Sequence, residues 1–353
     1  MTENAGGSAQ MVDWEFAATV GARTAPAPPQ VAAHEAEATV RELREGARRS
    51  TDLVRDFTGL EAGGGPEAPV LVVDRPGWIR ANTESFASLM DPLVEKLTQK
   101  RGAPRPGSVT HAVGSRVTGA EVGGLLSFLS SKVLGQFDPF HGEAGRLLLV
   151  APNLVHLERE LEVDPTDFRL WVCLHEETHR VQFTAVPWMR EHLRGLVGEA
   201  SGSVDPQIVL GDLVKRVAQV ARGEAKDNSL VELLSSPEQR ELLDRVTGVM
   251  SLLEGHADVV MDGVGPSVIP SVRQIRRKFT TRRAGLGTVD RMVRRLLGLD
   301  AKMAQYRDGA VFVREVVDTV GMEGFNAVWS GPEALPSRAE IHDPATWVAR
   351  VHG

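Results

Sequence analysis

The chain has 353 residues, of which 42% are hydrophobic and 25% charged, a composition typical of globular proteins and a length that allows one or two domains. Its single cysteine, Cys173, excludes an internal disulfide framework. No stretch approaches the roughly 18 uninterrupted apolar residues of a membrane span, and the polar N-terminus lacks the apolar segment of a signal peptide. We therefore expect a cytoplasmic protein with no membrane partner.

The N-terminal part of the chain alternates helical stretches with loops. Residues 1–12 are predicted to be a disordered tail. Residues 12–60 are predicted to form helices interrupted by the proline-rich stretch 25–29. The remaining predictions in this part are a helix over 78–99, a polar, mobile loop over 101–118 and a helix over 120–134.

Two short apolar runs, at residues 69–74 and 145–151, have the length and composition of strands. The second run comes shortly before a helix that is predicted below over about 165–186. From this order we expect the run to be an edge strand that could pair with an extended substrate. Beyond Pro187 the chain is mostly helical, with breaks predicted near 202–205, 223–228, 263–270 and 331–336. The expected fold class is α+β, predominantly helical, with a small sheet.

The most informative feature is the sequence His-Glu-Glu-Thr-His at residues 175–179. On a helix, His175 and His179 project from the same face one turn apart, a spacing that suits two imidazoles binding one zinc ion. Glu176 follows the first histidine, where it could take a proton from water at the metal. This is the HExxH pattern of zinc metalloproteases.

The context of the motif predicts a helix over about 165–186. Asp164 is an expected N-cap, Pro165 occupies the first helical position, and Pro187 marks the end. Cys173 falls on the face opposite the histidines and is expected to be a small buried residue.

A catalytic zinc ion needs a third protein ligand, and the segment 253–258, Leu-Glu-Gly-His-Ala-Asp, offers candidates. Ser236 and the residues after it are typical of a capping box that opens a second helix. On that helix Glu254 and Asp258 share a face, so Glu254 could bind zinc while Asp258 hydrogen-bonds a ligating histidine. His256 is the alternative ligand, but it points about 200° around the helix from Glu254.

The pattern His175-Glu176-x-x-His179 followed by Glu254-x-x-x-Asp258 resembles the gluzincin type of the zincin-like metallopeptidase superfamily. Longer stretches, at 168–183 and 253–257, resemble an actinobacterial group whose members carry a general hydrolase label or are associated with deazaflavin cofactor biosynthesis. The resemblance covers about 12–351. It implies a zincin-like fold with an active-site helix, Zn²⁺ as cofactor and hydrolysis of a peptide or small amide.

Two features depart from the usual pattern. Zincin helices usually carry uncharged residues at the positions of Glu177 and Arg180, which could pair with each other or reach into the site. The separation between His179 and Glu254, 254 − 179 = 75 positions, is long for a gluzincin. Both features weaken the prediction of an ordinary peptide groove.

If the site is catalytic, Glu176 is the predicted general base, and the tetrahedral oxyanion needs a further donor. Tyr306, the only tyrosine, is a candidate because similar enzymes often use tyrosine or histidine for this role. The expected organisation is a single catalytic domain over 13–353 with two possible lobes, 13–186 and 187–353.

The net charge of −7 conceals a basic segment at 273–295, which holds nine arginines and lysines against one acidic residue. Such a segment could bind an anionic partner, or it could pair with the acidic remainder of the chain. Because only Phe279 interleaves with these cations, nucleic-acid binding is not expected. The alternative function is therefore a catalytically silent metal- or ligand-binding protein that engages an anionic partner through this segment.

Overall fold

A computed structural model describes residues 12–61, 63–101, 109–203, 237–284 and 299–353. Within these ranges the fold is predominantly helical around one small three-stranded sheet, as the sequence predicts. Of the tail predicted over residues 1–12, only Val12 belongs to the described residues. The break predicted near 223–228 lies outside them. No described helix combines the length and apolarity that crossing a membrane requires.

The N-terminal helices are α1 (Trp14–Thr24), α2 (Ala33–Thr58), α3 (Arg75–Arg101) and α4 (Val109–Ser130). Asp13 caps α1 by accepting a hydrogen bond from the backbone of Phe16 at 2.9 Å. The loop predicted over 101–118 is wrong in its second part, because α4 already begins at Val109. The helix predicted over 120–134 is part of α4, which ends at Ser130, four residues before the predicted end.

The sheet contains β1 (Val70–Val73), β2 (Gly135–Asp138) and β3 (Arg146–Val150) in the order β1-β3-β2. Strand β3 runs parallel to β1, with Val70 opposite Leu147, and antiparallel to β2, with Gly135 opposite Leu149. The prediction that the 145–151 strand is an edge is therefore wrong. Every residue of β3 is buried, as expected for a strand paired on both sides, and β2 is the edge strand on that side.

Two helices follow β3 directly, α5 (Ala151–Leu161) and α6 (Pro165–Ala185). The side chain of Asp164 accepts a hydrogen bond from the backbone of Asp167 at 2.9 Å, which confirms the predicted N-cap of α6. Helix α6 packs against α2, β2 and β3, so most of its surface is buried, including polar positions. The predicted motif helix is confirmed to within one residue.

The C-terminal part consists of α7 (Pro187–Ser203), α8 (Pro237–Gly263), α9 (Val272–Ala284) and α10 (Leu299–Phe325). Two 3₁₀ turns follow, at Asn326–Trp329 and Pro332–Ala334, and the chain ends with α11 (Arg338–His342) and α12 (Pro344–His352). Helix α10 is interrupted at Gly321, whose φ of 74° lies in the left-handed region. The predicted breaks near 263–270 and 331–336 coincide with helix ends or irregular turns, and the break predicted near 202–205 lies partly outside the described residues.

Three apolar clusters form the core. The first joins α2, the sheet, α5, α6, α8 and α9, the second joins α7, α8, α10 and the C-terminal helices, and the third lies between α1, α3, α4 and β3. Phe57, Leu60, Phe183 and Ala185 pack against both the first and the second cluster. The division into lobes at 186 and 187 remains a prediction.

Helices α8 and α10 approach each other so closely that only glycine fits at the contact. A Cβ atom at Gly255 would lie 2.5 Å from the backbone nitrogen of Ala310, and one at Gly309 would overlap the backbone of Ser251. Since Gly255 follows Glu254, this contact sets how closely the part of α8 that carries Glu254 approaches α10. The close approach therefore belongs to the framework that places the third candidate ligand.

We predict that Gly255→Ala destabilises the fold by about 1–3 kcal/mol, because the added methyl group must push two backbones apart. The matched control is Gly195→Ala on α7, where an added Cβ meets no atom within 4 Å. That change should be neutral or stabilise by up to about 1 kcal/mol. Denaturant unfolding of both variants measures the difference, and equal stabilities would contradict the close contact.

Candidate metal centre

Three candidate ligands, His175 and His179 on α6 and Glu254 on α8, converge on one point. The two Nε2 atoms are 3.3 Å apart, and each lies 3.6 Å from an oxygen of the Glu254 carboxylate. The side chains are 13–26% exposed, so the site is partly open. The structure thus brings together the three side chains that the sequence predicts as ligands.

These separations fit a metal ion. Two nitrogen atoms bound tetrahedrally at about 2.0–2.1 Å from zinc would be about 3.3 Å apart. The 3.6 Å distances to Glu254 exceed those of normal hydrogen bonds, so direct bonding between carboxylate and imidazoles does not explain the convergence. The three donors are arranged as a cation would hold them.

Glu176 lies beside this group and is almost fully buried, with 7% of its surface exposed. Burial, and to a lesser extent the nearby Glu254, raises the pKa of Glu176 well above its ordinary value. Its side chain occupies space that only a glycine leaves open, because a Cβ atom at Gly135 would lie 2.5 Å from Cγ and 2.8 Å from Oε1 of Glu176. The edge strand β2 therefore touches the predicted general base through Gly135.

His256, the alternative ligand, does not join the group. Its Nδ1 lies 3.0 Å from Nε2 of Gln182, and its Nε2 has no hydrogen-bond partner among the described residues. The imidazole packs against the rings of Phe325 and Trp329. Burial, with a smaller effect of the nearby His179, lowers the pKa of His256 to about 3, so the ring is neutral. The geometry favours Glu254 as the third ligand.

Gln182 is a residue of the site that the sequence analysis missed. Its Oε1 lies 3.0 Å from Nδ1 of His179, the nitrogen that faces away from the three-residue group. The available signal was its position three residues after His179, which places it on a neighbouring face of the same helix.

Asp258 has a partner that the sequence did not predict. Its carboxylate accepts a hydrogen bond from Arg276 at 2.9 Å, and Arg276 also binds Asp262 at 2.8 Å. The outer nitrogen of His179 is occupied by Gln182, so Asp258 does not hold that histidine. Asp258 lines the same cavity as His175. Its predicted hydrogen bond to a ligating histidine therefore stays a prediction for His175 only.

The two charged residues that depart from the usual motif point away from the site. Arg180 donates to Glu177 at 2.8 and 2.9 Å through Nε and to the hydroxyl of Thr51 on α2 at 2.8 Å. Glu177 is fully buried in this pair. Cys173 is buried against the backbone of Leu43, which confirms its predicted structural role.

A cavity of about 240 Å³ opens beside the candidate centre. His175 and Glu176 form part of its wall, and the rest of the wall combines apolar side chains with a few charged ones. The other lining residues are Lys132, Leu134, Leu157, Trp171, Val172, Asp258, Met261, Arg276, Phe279 and Arg282.

The described part of the basic segment forms internal contacts. Besides Arg276, Lys278 donates to the carbonyls of Leu161 and Glu162 at the end of α5, and Arg282 pairs with Glu160 at 2.8 Å. These contacts favour the interpretation that the segment neutralises acidic parts of the chain. Residues 285–298 lie outside the described residues, and so does the side chain of Tyr306, although its backbone belongs to α10.

Comparisons with known proteins found one family and one solved structure that resemble this chain. The model of the family described as "Zincin-like metallopeptidase" matches residues 12–348. A protein from Chloroflexus aurantiacus, described as "a putative hydrolase with a novel fold", is 32% identical, with a TM-score of 0.67 over 97% of this chain and 99% of that chain. No curated protein gives a match.

The association with deazaflavin cofactor biosynthesis and the actinobacterial setting remain predictions from the resemblance. The family match extends over nearly the whole chain and includes both helices that carry the candidate ligands. This chain belongs to the zincin-like metallopeptidase family.

Proposed function

We propose that this protein is a zinc-dependent hydrolase that cleaves a peptide or small amide bond. The observation that carries the proposal is the convergence of His175, His179 and Glu254 beside the buried carboxylate of Glu176. Two imidazoles and one carboxylate form a ligand set found in catalytic zinc sites, which keep one position open.

The donor types favour zinc over magnesium or calcium, because those ions prefer oxygen ligands alone. When bound, zinc would supply Lewis acidity, which makes water a stronger acid and a carbonyl carbon more electrophilic. The partial exposure of the three ligands leaves room for water and substrate at the same place.

In this proposal Glu176 is the general base. Its carboxylate takes a proton from the attacking water and passes it to the leaving nitrogen of the substrate. Burial raises the pKa of this group, so its carboxylate form is a stronger proton acceptor than that of an exposed glutamate. Tyr306 stays the proposed donor to the oxyanion.

Two features are suited to bind the substrate. Strand β2 forms the sheet edge that contacts Glu176 through Gly135, so an extended chain could add to the sheet there. The cavity beside His175 could receive an adjoining side chain, and its apolar lining of leucine, methionine and aromatic residues favours an apolar one. The substrate class that fits is a peptide or amide with an apolar group beside the scissile bond.

The alternative, a catalytically silent binding protein that engages an anionic partner through 273–295, has less support. Three of its cations, Arg276, Lys278 and Arg282, already have partners within the chain. A silent site would also have no need of a buried carboxylate held against a glycine beside the metal ligands.

We predict that Glu176→Gln lowers turnover at least about 100-fold while zinc stays bound, because the variant loses the proton acceptor but no ligand. The measurement combines metal analysis of the purified protein with mass spectrometry of a proteome-derived peptide mixture. His175→Ala is the companion variant and should lose both zinc and cleavage. Zinc-loaded wild-type protein that cleaves nothing, or Glu176→Gln with undiminished cleavage, would contradict the hydrolase proposal.

A second prediction concerns Gly135→Ala. The added methyl group would overlap the Glu176 side chain, so we expect a loss of turnover of about 10–100-fold from misplacement of the base. Zinc content should not change, since no ligand is touched. Gly124→Ala on α4, where a Cβ meets no atom within 4 Å, is the matched control and should retain full activity. Equal activities of the two variants would show that Gly135 does not position Glu176.

A further inference from the structure

Gln182 is fully buried on α6, and each end of its amide has a defined partner. Its Nε2 donates to the carbonyl oxygen of Leu253 at 3.0 Å and lies 3.0 Å from Nδ1 of His256. Its Oε1 lies 3.0 Å from Nδ1 of His179. A carbonyl oxygen can only accept, so the NH₂ end of the amide must face Leu253. The opposite orientation would place two oxygens against each other.

The orientation of the amide determines the tautomer of His179. Because Oε1 of Gln182 can only accept, Nδ1 of His179 must carry the proton and donate it. The lone pair of this imidazole is then on Nε2, the atom that faces His175 and Glu254. A neutral imidazole with a free Nε2 is the form that binds a metal.

The same amide connects the two helices that carry the ligands. Leu253, whose carbonyl accepts from Gln182, directly precedes Glu254 on α8. His256, three residues after Leu253 on α8, offers Nδ1 as the second acceptor and fills the space against Phe325 and Trp329. One side chain on α6 thus holds both the orientation of His179 and the position of the α8 backbone next to Glu254.

We propose that Gln182 is a positioning residue that prepares His179 and Glu254 for the metal ion. This inference rests on the proposed function, because it assumes that these residues bind zinc. Gln182 acts through its hydrogen bonds to His179 and Leu253 and does not touch the metal itself. Outer partners of this kind orient the ligands, and their loss typically weakens metal affinity about 10–100-fold.

The test is Gln182→Met, which keeps the length of the side chain and removes its donors and its acceptor. We expect the affinity for zinc, measured by competition with a chromogenic chelator, to fall about 10–100-fold. Nitrogen NMR of protein labelled at histidine should show that His179 no longer has a single tautomer in the zinc-free state. A residue that only fills space would not change that spectrum.

Two further variants separate positioning from general damage. Gln182→Glu keeps an oxygen that accepts from His179, so its zinc affinity should stay closer to that of the wild type than the affinity of Gln182→Met does. His256→Phe keeps the ring packing and the contact between Gln182 and Leu253, so it should affect zinc binding less than Gln182→Met. Gln274→Met, the same change at an exposed position of α9, should have no effect.

The outcomes distinguish the two proposals. If wild-type protein binds no zinc, the proposed function fails. If wild-type protein binds zinc and Gln182→Met binds it equally well with an unchanged His179 tautomer, the positioning role is wrong and the metal site stands. Failure of Gln182→Glu to restore affinity would also overturn the role assigned to the acceptor, and loss of zinc in His256→Phe would identify His256 as a ligand instead.

Discussion

The structure depends on the burial of α6, a helix rich in polar residues that is enclosed by α2, α8 and the sheet. A polar side chain removed from water must find partners inside the protein, or its burial costs several kcal/mol. Arg169 meets this requirement with Glu158 and Glu42, and Arg180 with Glu177. Each of these pairs joins α6 to a neighbour or closes on itself, away from the candidate centre.

Against this background, the residues of the motif stand out. The Nε2 atoms of His175 and His179 face the Glu254 carboxylate at 3.6 Å, too far for a good hydrogen bond. Glu176 is buried, and its burial raises its pKa well above the ordinary value. On α6 the two arginines have carboxylate partners, whereas the two imidazoles and the Glu254 carboxylate face one another at distances that suit a bound cation.

Neighbouring elements adapt to this requirement at positions where only glycine fits. Gly135 admits the side chain of Glu176 against β2, and Gly255 with Gly309 lets α8 and α10 approach backbone to backbone beside Glu254. Glycine weakens helices and strands relative to alanine by roughly 0.5–1 kcal/mol. The fold accepts that cost at these contacts, and the result is that close backbone contacts position the proposed base and the candidate third ligand.

The parts of the site that the sequence predicts are those encoded locally. Helical spacing places His175 beside His179, and the cap at Asp164 fixes where the helix begins. Strand β2 escaped prediction because four residues, Gly-Gln-Phe-Asp, carry no periodic or apolar signal. The sheet order and the role of Gln182 escaped because they depend on partners far away along the chain, 71 positions away for Leu253.

The long separation between His179 and Glu254 shows why distance along the chain is a poor guide to such a site. The entropic cost of closing a loop grows only with the logarithm of its length, so a threefold longer connection costs about 1 kcal/mol. One buried hydrogen bond between α6 and α8, such as that from Gln182 to Leu253, contributes about as much. Packing of the two helices therefore decides whether the candidate ligands meet, and the length of the connection between α6 and α8 matters little.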